Sequence, residues 1–157
     1  MRAALRAPDH AALRPWKVLL FRGEARAKLG ALFVESLLRR SPGASADEIE
    51  RERNKVLRAP LMVAVAAAIK QSPKAPEIEQ VLSAGCVMYG IELGLQAEGF
   101  GSVWKTGAAA YDAELMSKLG LAPTDKLLGY LYVGTPAEEP PAFARPEPSA
   151  HVIDWNG

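Results

Sequence analysis

Apolar residues fall along this chain in short blocks, and their spacing switches between extended and helical. Residues 16–21 (WKVLLF) follow Arg14-Pro15 and read as a strand. Residues 23–40 set Leu29, Leu32, Phe33, Leu37 and Leu38 at helical spacing. After a Pro/Gly/Ser loop over 41–45, Ser45-Ala-Asp47-Glu48 has the form of a capping box and opens a charge-rich helix to about Leu57. Residues 61–69 (LMVAVAAAI) are apolar and bounded by Pro60 and a 70–76 loop. They predict a buried strand, although alanine is a poor strand former. Residues 126–133 (KLLGYLYV), closed by Gly134-Thr-Pro136, are the clearest strand.

The most informative block is 76–100. Pro76 suits a first helical position. Ile78, Val81, Leu82, Val87, Tyr89, Ile91, Leu93 and Leu95 leave little polar face after Glu79 and Gln80. A helix apolar nearly all round lies in a core or at a subunit interface. Gly99 and Gly101 end it, and 102–104 begin a short strand. Asp112 caps a helix through Lys118 that stops at Gly120. Residues 1–7 read as the end of a helix stopped at Pro8; they lack a start signal, so the chain is expected to begin inside an element. The 137–157 tail is rich in proline and acids and recovers apolar character at 151–155 (HVIDW). Irregular helix–strand alternation with few strands predicts an α+β sandwich rather than a doubly wound sheet.

Length and charge narrow this further. The 157 residues suit one domain, spanning 1–157. A formal net charge of +1 gives no broad field for nucleic acid or an anionic membrane, so neither is expected as a partner. No apolar run approaches the ~20 residues that span a bilayer. The N-terminal basic residues Arg2, Arg6, Arg14, Lys17 and Arg22 resemble an organellar leader in composition, but Pro8, Pro15 and the strand that follows argue against one. The single cysteine cannot form an internal disulfide and fits a reducing compartment, with the cytoplasm expected. Two histidines and one cysteine do not make a structural zinc site.

Gly99-Phe-Gly101 is no dinucleotide fingerprint, because its glycines close a helix instead of opening one. Cys86, among Val81, Leu82 and Val87, reads as a small core residue. Asp9-His10 finds no serine or cysteine in a nucleophile turn, which disfavours a hydrolase. The segment around them is richer. Arg6-Ala-Pro8-Asp9-His10 precedes Arg14-Pro15-Trp16, so a cation, an imidazole and an indole stand close together on a proline-fixed backbone.

This segment resembles the Arg-Ala-Pro-Asp-His…Gln-Pro-Trp signature of a short-chain subgroup of the nitroreductase family. Ser83-Ala-Gly85-Cys86, Gly99-Phe-Gly101…Trp104-Lys105-Thr106-Gly107 and Gly129-Tyr-Leu-Tyr-Val-Gly134-Thr-Pro136 resemble three further stretches of that subgroup, in the same order. The resemblance implies a homodimer with a small, mostly antiparallel sheet flanked by helices, the 137–157 tail packing on the partner, and flavin mononucleotide (FMN) held in two sites at the subunit interface. It implies that Arg6 and His10 reach the flavin phosphate and ribityl region, and that Trp104, Lys105 and Thr106 line the ring. It implies a ping-pong reaction in which NAD(P)H delivers a hydride and a small-molecule acceptor (nitroaromatic, quinone or similar) follows in the same slot. The flavin carries that chemistry, so no catalytic side chain is expected.

Three departures qualify the match. No Arg-Arg-Ser-like phosphate motif precedes Arg6, Arg14 replaces a glutamine, and Lys105-Thr106 replace Arg-Ser. Each charge-assisted hydrogen bond of the missing motif is worth ~1.5–3 kcal/mol, and two correspond to about a hundredfold in affinity or more. The sequence therefore predicts weaker flavin binding than in a relative with that motif, and a misplaced start with the motif encoded upstream. The competing expectation is a dimeric domain of the same fold that has lost the cofactor and serves as a binding module.

Overall fold

The computed structural model describes residues 1–138 and 143–157. Its elements run β1 (Trp16–Arg22), α1 (Glu24–Arg40), α2 (Ala46–Asn54), β2 (Leu61–Ala67), α3 (Glu77–Ala97), β3 (Gly101–Lys105), α4 (Ala113–Lys118) and β4 (Lys126–Gly134). The strands form one sheet in the order β1-β2-β4-β3, every neighbour antiparallel. This is the α+β sandwich that the alternation of patterns predicts.

Residue parity along the strands divides the core in two. Val63 and Val65 of β2 join Leu131 and Val133 of β4 on the face that receives Val87, Met88 and Ile91 of α3. Met62, Ala64 and Ala66 join Tyr130 and Phe21 on the other face, against Leu29 and Phe33 of α1 and Leu115 of α4. Both faces of β2 are thus covered. That is why residues 62–67 form an unbroken apolar run in place of an alternation, and all six are buried.

The caps read from sequence are present. Ser45 Oγ accepts from the Glu48 N–H at 3.3 Å, and the Glu48 carboxylate accepts from the Ser45 N–H at 2.9 Å. Asp112 accepts from the Leu115 N–H at 2.9 Å. Three local expectations change. Pro76 sits at the N-cap with extended backbone, one position before the helix. The turn before Pro8 is 3₁₀, over Ala4–Arg6, with Ala4 buried against α3 at Gly90. Cys86 is exposed and is not a core residue. The buried stripe of α3 is Gln80, Ser83, Ala84, Val87, Met88 and Ile91; Cys86 lies on the opposite side, with Ile78, Leu82, Tyr89 and Leu93. Periodicity cannot rank two apolar faces of one helix. Of the tail, residues 139–142 lie outside the described residues, while Phe143, Val152, Ile153 and Trp155 are exposed. No described helix is long and apolar enough to cross a membrane.

Two polar groups bear on stability, the half-buried Asp112 carboxylate and the buried Tyr130 hydroxyl. Burial alone would raise the Asp112 carboxyl. The Ser36 hydroxyl beside it (close, though not in hydrogen-bond alignment), the Leu115 N–H and the Arg39 guanidinium outweigh that and hold it at about 2. In the unfolded chain it titrates near 3.8. A depressed carboxyl stabilises the fold above its unfolded value and ceases to as the pH falls through its folded one. Asp112→Ala should therefore cost about 1–2 kcal/mol at neutral pH. The gap from wild type should narrow between about pH 4 and 2, read by urea melts across that window. Tyr130 is the second case. Its hydroxyl is buried with no partner among the described residues, and burial pushes its ionisation well up. Tyr130→Phe is expected to leave stability unchanged or raise it by up to about 1 kcal/mol, since no made hydrogen bond is lost. A loss beyond that in thermal melts would mean that the hydroxyl is bonded.

Candidate cofactor site at one end of the sheet

The candidate residues lie along the two edges of the sheet: Arg6 and His10 ahead of β1, and Trp104 and Lys105 at the end of β3, which by register comes level with the middle of β1. The loop before β1 is clamped there by side chains from three directions. The Asp9 carboxylate accepts from the Leu13 N–H at 3.0 Å and the Arg14 N–H at 2.7 Å. Lys70 Nζ donates to the Leu13 carbonyl at 2.6 Å, and Ser83 Oγ of α3 donates to the Pro8 carbonyl at 2.6 Å. His10 Nδ1 lies 2.6 Å from the Glu79 carboxylate, also of α3. Within these clamps Ala11, Ala12 and Arg14 have φ of 62°, 52° and 48°. Such left-handed non-glycine residues cost on the order of 1–3 kcal/mol each and persist only where the surroundings impose them, most often at ligand sites. Arg6 and His10 are exposed on this loop, and His10 lines a shallow cleft of about 230 Å³ with Glu79, Ser83 and Cys86.

The second group stands on β3, the opposite edge strand. Its position depends on a bulge in β4. Val65 pairs with Gly129 and Ala66 with Leu127, which leaves Leu128 as the extra residue. The freed Leu128 carbonyl accepts the Trp104 indole N–H at 3.2 Å. Gly129, with φ of 139°, lets the indole lie against it; a Cβ there would meet Trp104 Nε1 at 2.7 Å and the Lys105 carbonyl at 2.7 Å. Trp104 pairs with Leu131 and shares its face, the face of α3. Lys105 points to the other face. With Thr106 it lines a cavity of about 440 Å³ whose wall includes Phe33, Arg58 and Tyr130.

One chain therefore does not bring all the predicted residues together. Arg6 and His10 stand beside β1, while Trp104 and Lys105 stand on β3 and Thr106 just after it, with β2 and β4 between the two groups. Three strand spacings of ~4.8 Å separate the two edges. The register sets Lys105, Tyr130, Ala64 and Leu19 in one row, so the second group is also offset along the strands from the start of β1. Arg6, Arg14 and Lys105 have no carboxylate partner among the described residues. Cations without counter-charges suit an anionic ligand.

Sequence reading missed the supports. Glu79 counted only as the polar remnant of an apolar helix, since its partner His10 is 69 positions away. Gly129 was legible in principle, because a glycine inside a strong strand marks a bulge or a close backbone approach.

A four-stranded antiparallel sheet between helices, with the candidate residues divided between its two edges, is the α+β scaffold of this chain. The nitroreductase-like family protein from Bacillus cereus shares it, with a TM-score of 0.79 at 23% identity over 99% of this chain and 81% of that one. So does the FMN and NADPH-dependent nitroreductase NfnB from sphigopyxis sp. strain HMH, with a TM-score of 0.66 at 20% identity over 99% and 86% of the two chains. The sequence profile of the nitroreductase family matches residues 1–135. The Escherichia coli K12 protein named "Putative NAD(P)H nitroreductase YdjA" is 35% identical over 136 residues, 87% of this chain and 73% of that protein. The chain belongs to the nitroreductase family, as its four motifs imply, and is by that membership an oxidoreductase.

Proposed function

We propose that this chain is an FMN-dependent NAD(P)H oxidoreductase that works as a homodimer and reduces nitroaromatics, quinones or similar flat acceptors by a ping-pong mechanism. The observation that carries this is the division of the candidate residues between the two opposite edges of the sheet. A second copy docked across α3 can set the His10 group of one protomer near the Trp104 group of the other. The exposed stripe Ile78, Leu82, Cys86, Tyr89 and Leu93 supports that docking, since its helical spacing makes a self-complementary face. The exposed apolar side chains of the tail are proposed to pack on the partner as well. NAD(P)H supply and a lone free cysteine fit the cytoplasm, and the whole of 1–157 is taken as one domain.

The residues present suit FMN. Its phosphate is a dianion, and Arg6 and His10 offer guanidinium and imidazole donors from a loop held rigid by its clamps. Trp104, fixed through the Leu128 carbonyl, offers a planar wall for the ring. Lys105 lies on the opposite face of β3 from Trp104, so its positive charge would reach the ring around the end of the strand, where Thr106 follows. When bound, FMN would accept a hydride from NAD(P)H and return two electrons to the acceptor. The protein's part is to orient, to exclude water and to counter charge. No side chain need act as nucleophile. Initial rates at varied NADH and quinone are expected to give parallel double-reciprocal lines; intersecting lines would overturn the ping-pong order.

A further inference from the structure

We infer that Glu79 is a positioning residue for the cofactor site, acting through His10; the inference rests on the FMN reading above. Three observations lead to it. The Glu79 carboxylate takes Nδ1 of His10 at 2.6 Å, which leaves Nε2 as the ring nitrogen available to a ligand. Glu79 and Ser83 stand one turn apart on α3, so the same helical face that holds His10 also holds the Pro8 carbonyl at 2.6 Å. The loop between these clamps carries the three left-handed residues Ala11, Ala12 and Arg14, a conformation that no residue there favours by itself. A ring on such a loop would turn freely without a second contact, because both side chains are half exposed, at 54% and 44%.

The physical logic is that of an outer carboxylate that fixes the tautomer of an imidazole ligand. With the Nδ1 proton given to Glu79, the neutral ring presents Nε2 as an acceptor and the charged ring presents Nε2–H as a donor. The second state matches an anionic phosphate or the ribityl hydroxyls. Glu79 touches no ligand in this arrangement; it sets which nitrogen His10 can offer and where.

The test has one arm that needs no flavin. The chain has two histidines, His10 and His151, so a ¹⁵N-labelled sample with a His151→Gln control assigns the His10 ring signals. At alkaline pH the proton of the neutral His10 ring is expected on Nδ1 in the wild type and on Nε2 in Glu79→Ala. The same tautomer in both would overturn the inference. The second arm measures FMN affinity by fluorescence quenching. Glu79→Ala is expected to bind about tenfold more weakly than wild type, Glu79→Gln to recover most of that, and Glu79→Ala to add nothing in a His10→Ala background. Wild-type affinity of Glu79→Ala beside a weakened His10→Ala would remove the positioning role and leave the FMN reading standing. Wild-type affinity of His10→Ala would instead remove His10 from the cofactor, and the inference with it. Both side chains lie outside the core, so thermal melts should show all these variants folded.

Discussion

Gly129→Ala is expected to destabilise the protein by about 2–4 kcal/mol and to weaken FMN binding by more than tenfold. Two costs combine. The φ of 139° lies where side chains other than glycine are strained. The new Cβ would also meet the Lys105 carbonyl at 2.7 Å, which is backbone of the paired strand and cannot swing aside. The second atom in the way is Trp104 Nε1, also at 2.7 Å, and the indole is tied to the Leu128 carbonyl. Relief must come from pushing β3 away from β4 at the end that carries Trp104, Lys105 and Thr106. Urea denaturation reads the first effect and a fluorescence titration with FMN the second. A variant as stable as wild type would mean that the bulge tolerates a methyl group and does not hold the indole in place.

Leu82→Glu tests the opposite kind of position, one with no structural role inside the protomer. Leu82 is 60% exposed and sits in the middle of the α3 stripe, so the single chain should fold as before, with an unchanged far-ultraviolet circular dichroism spectrum. In the dimer the carboxylate would be taken from water into an apolar contact twice, once per protomer, at several kcal/mol in total. The expected result is a monomer by light scattering at micromolar concentration, with FMN affinity reduced about a thousandfold or more. A dimer that keeps its flavin would place the subunit contact elsewhere.

The framework was legible because local rules determined it. The capping box at Ser45, the Asp112 cap and the four strands all stand where pattern and turn chemistry put them. Cys86 reads as core in the sequence because α3 is apolar on both sides, and only the packing of Val87, Met88 and Ile91 on the sheet decides which side is the core. The candidate residues were legible as motifs, through likeness to a family, and not through their spacing. Their supports were hidden for a plainer reason. Glu79 and His10, or Lys70 and Leu13, meet only after the chain folds, and no periodicity links residues 69 or 57 positions apart. The β4 bulge shows in sequence as one glycine, while its consequence, a carbonyl freed for Trp104, needs the register of three strands.

On the proposed function, two copies of this chain hold FMN between them and pass electrons through it. An anaerobic titration of the purified protein with FMN, followed by NADH or NADPH, tests it directly. The flavin absorbance is predicted to shift on binding, to saturate at one FMN per protomer, and to bleach on addition of the nicotinamide faster than free flavin does. A spectrum that stays that of free FMN through the titration, with bleaching no faster than in buffer, would mean that this chain is not a flavin-dependent reductase.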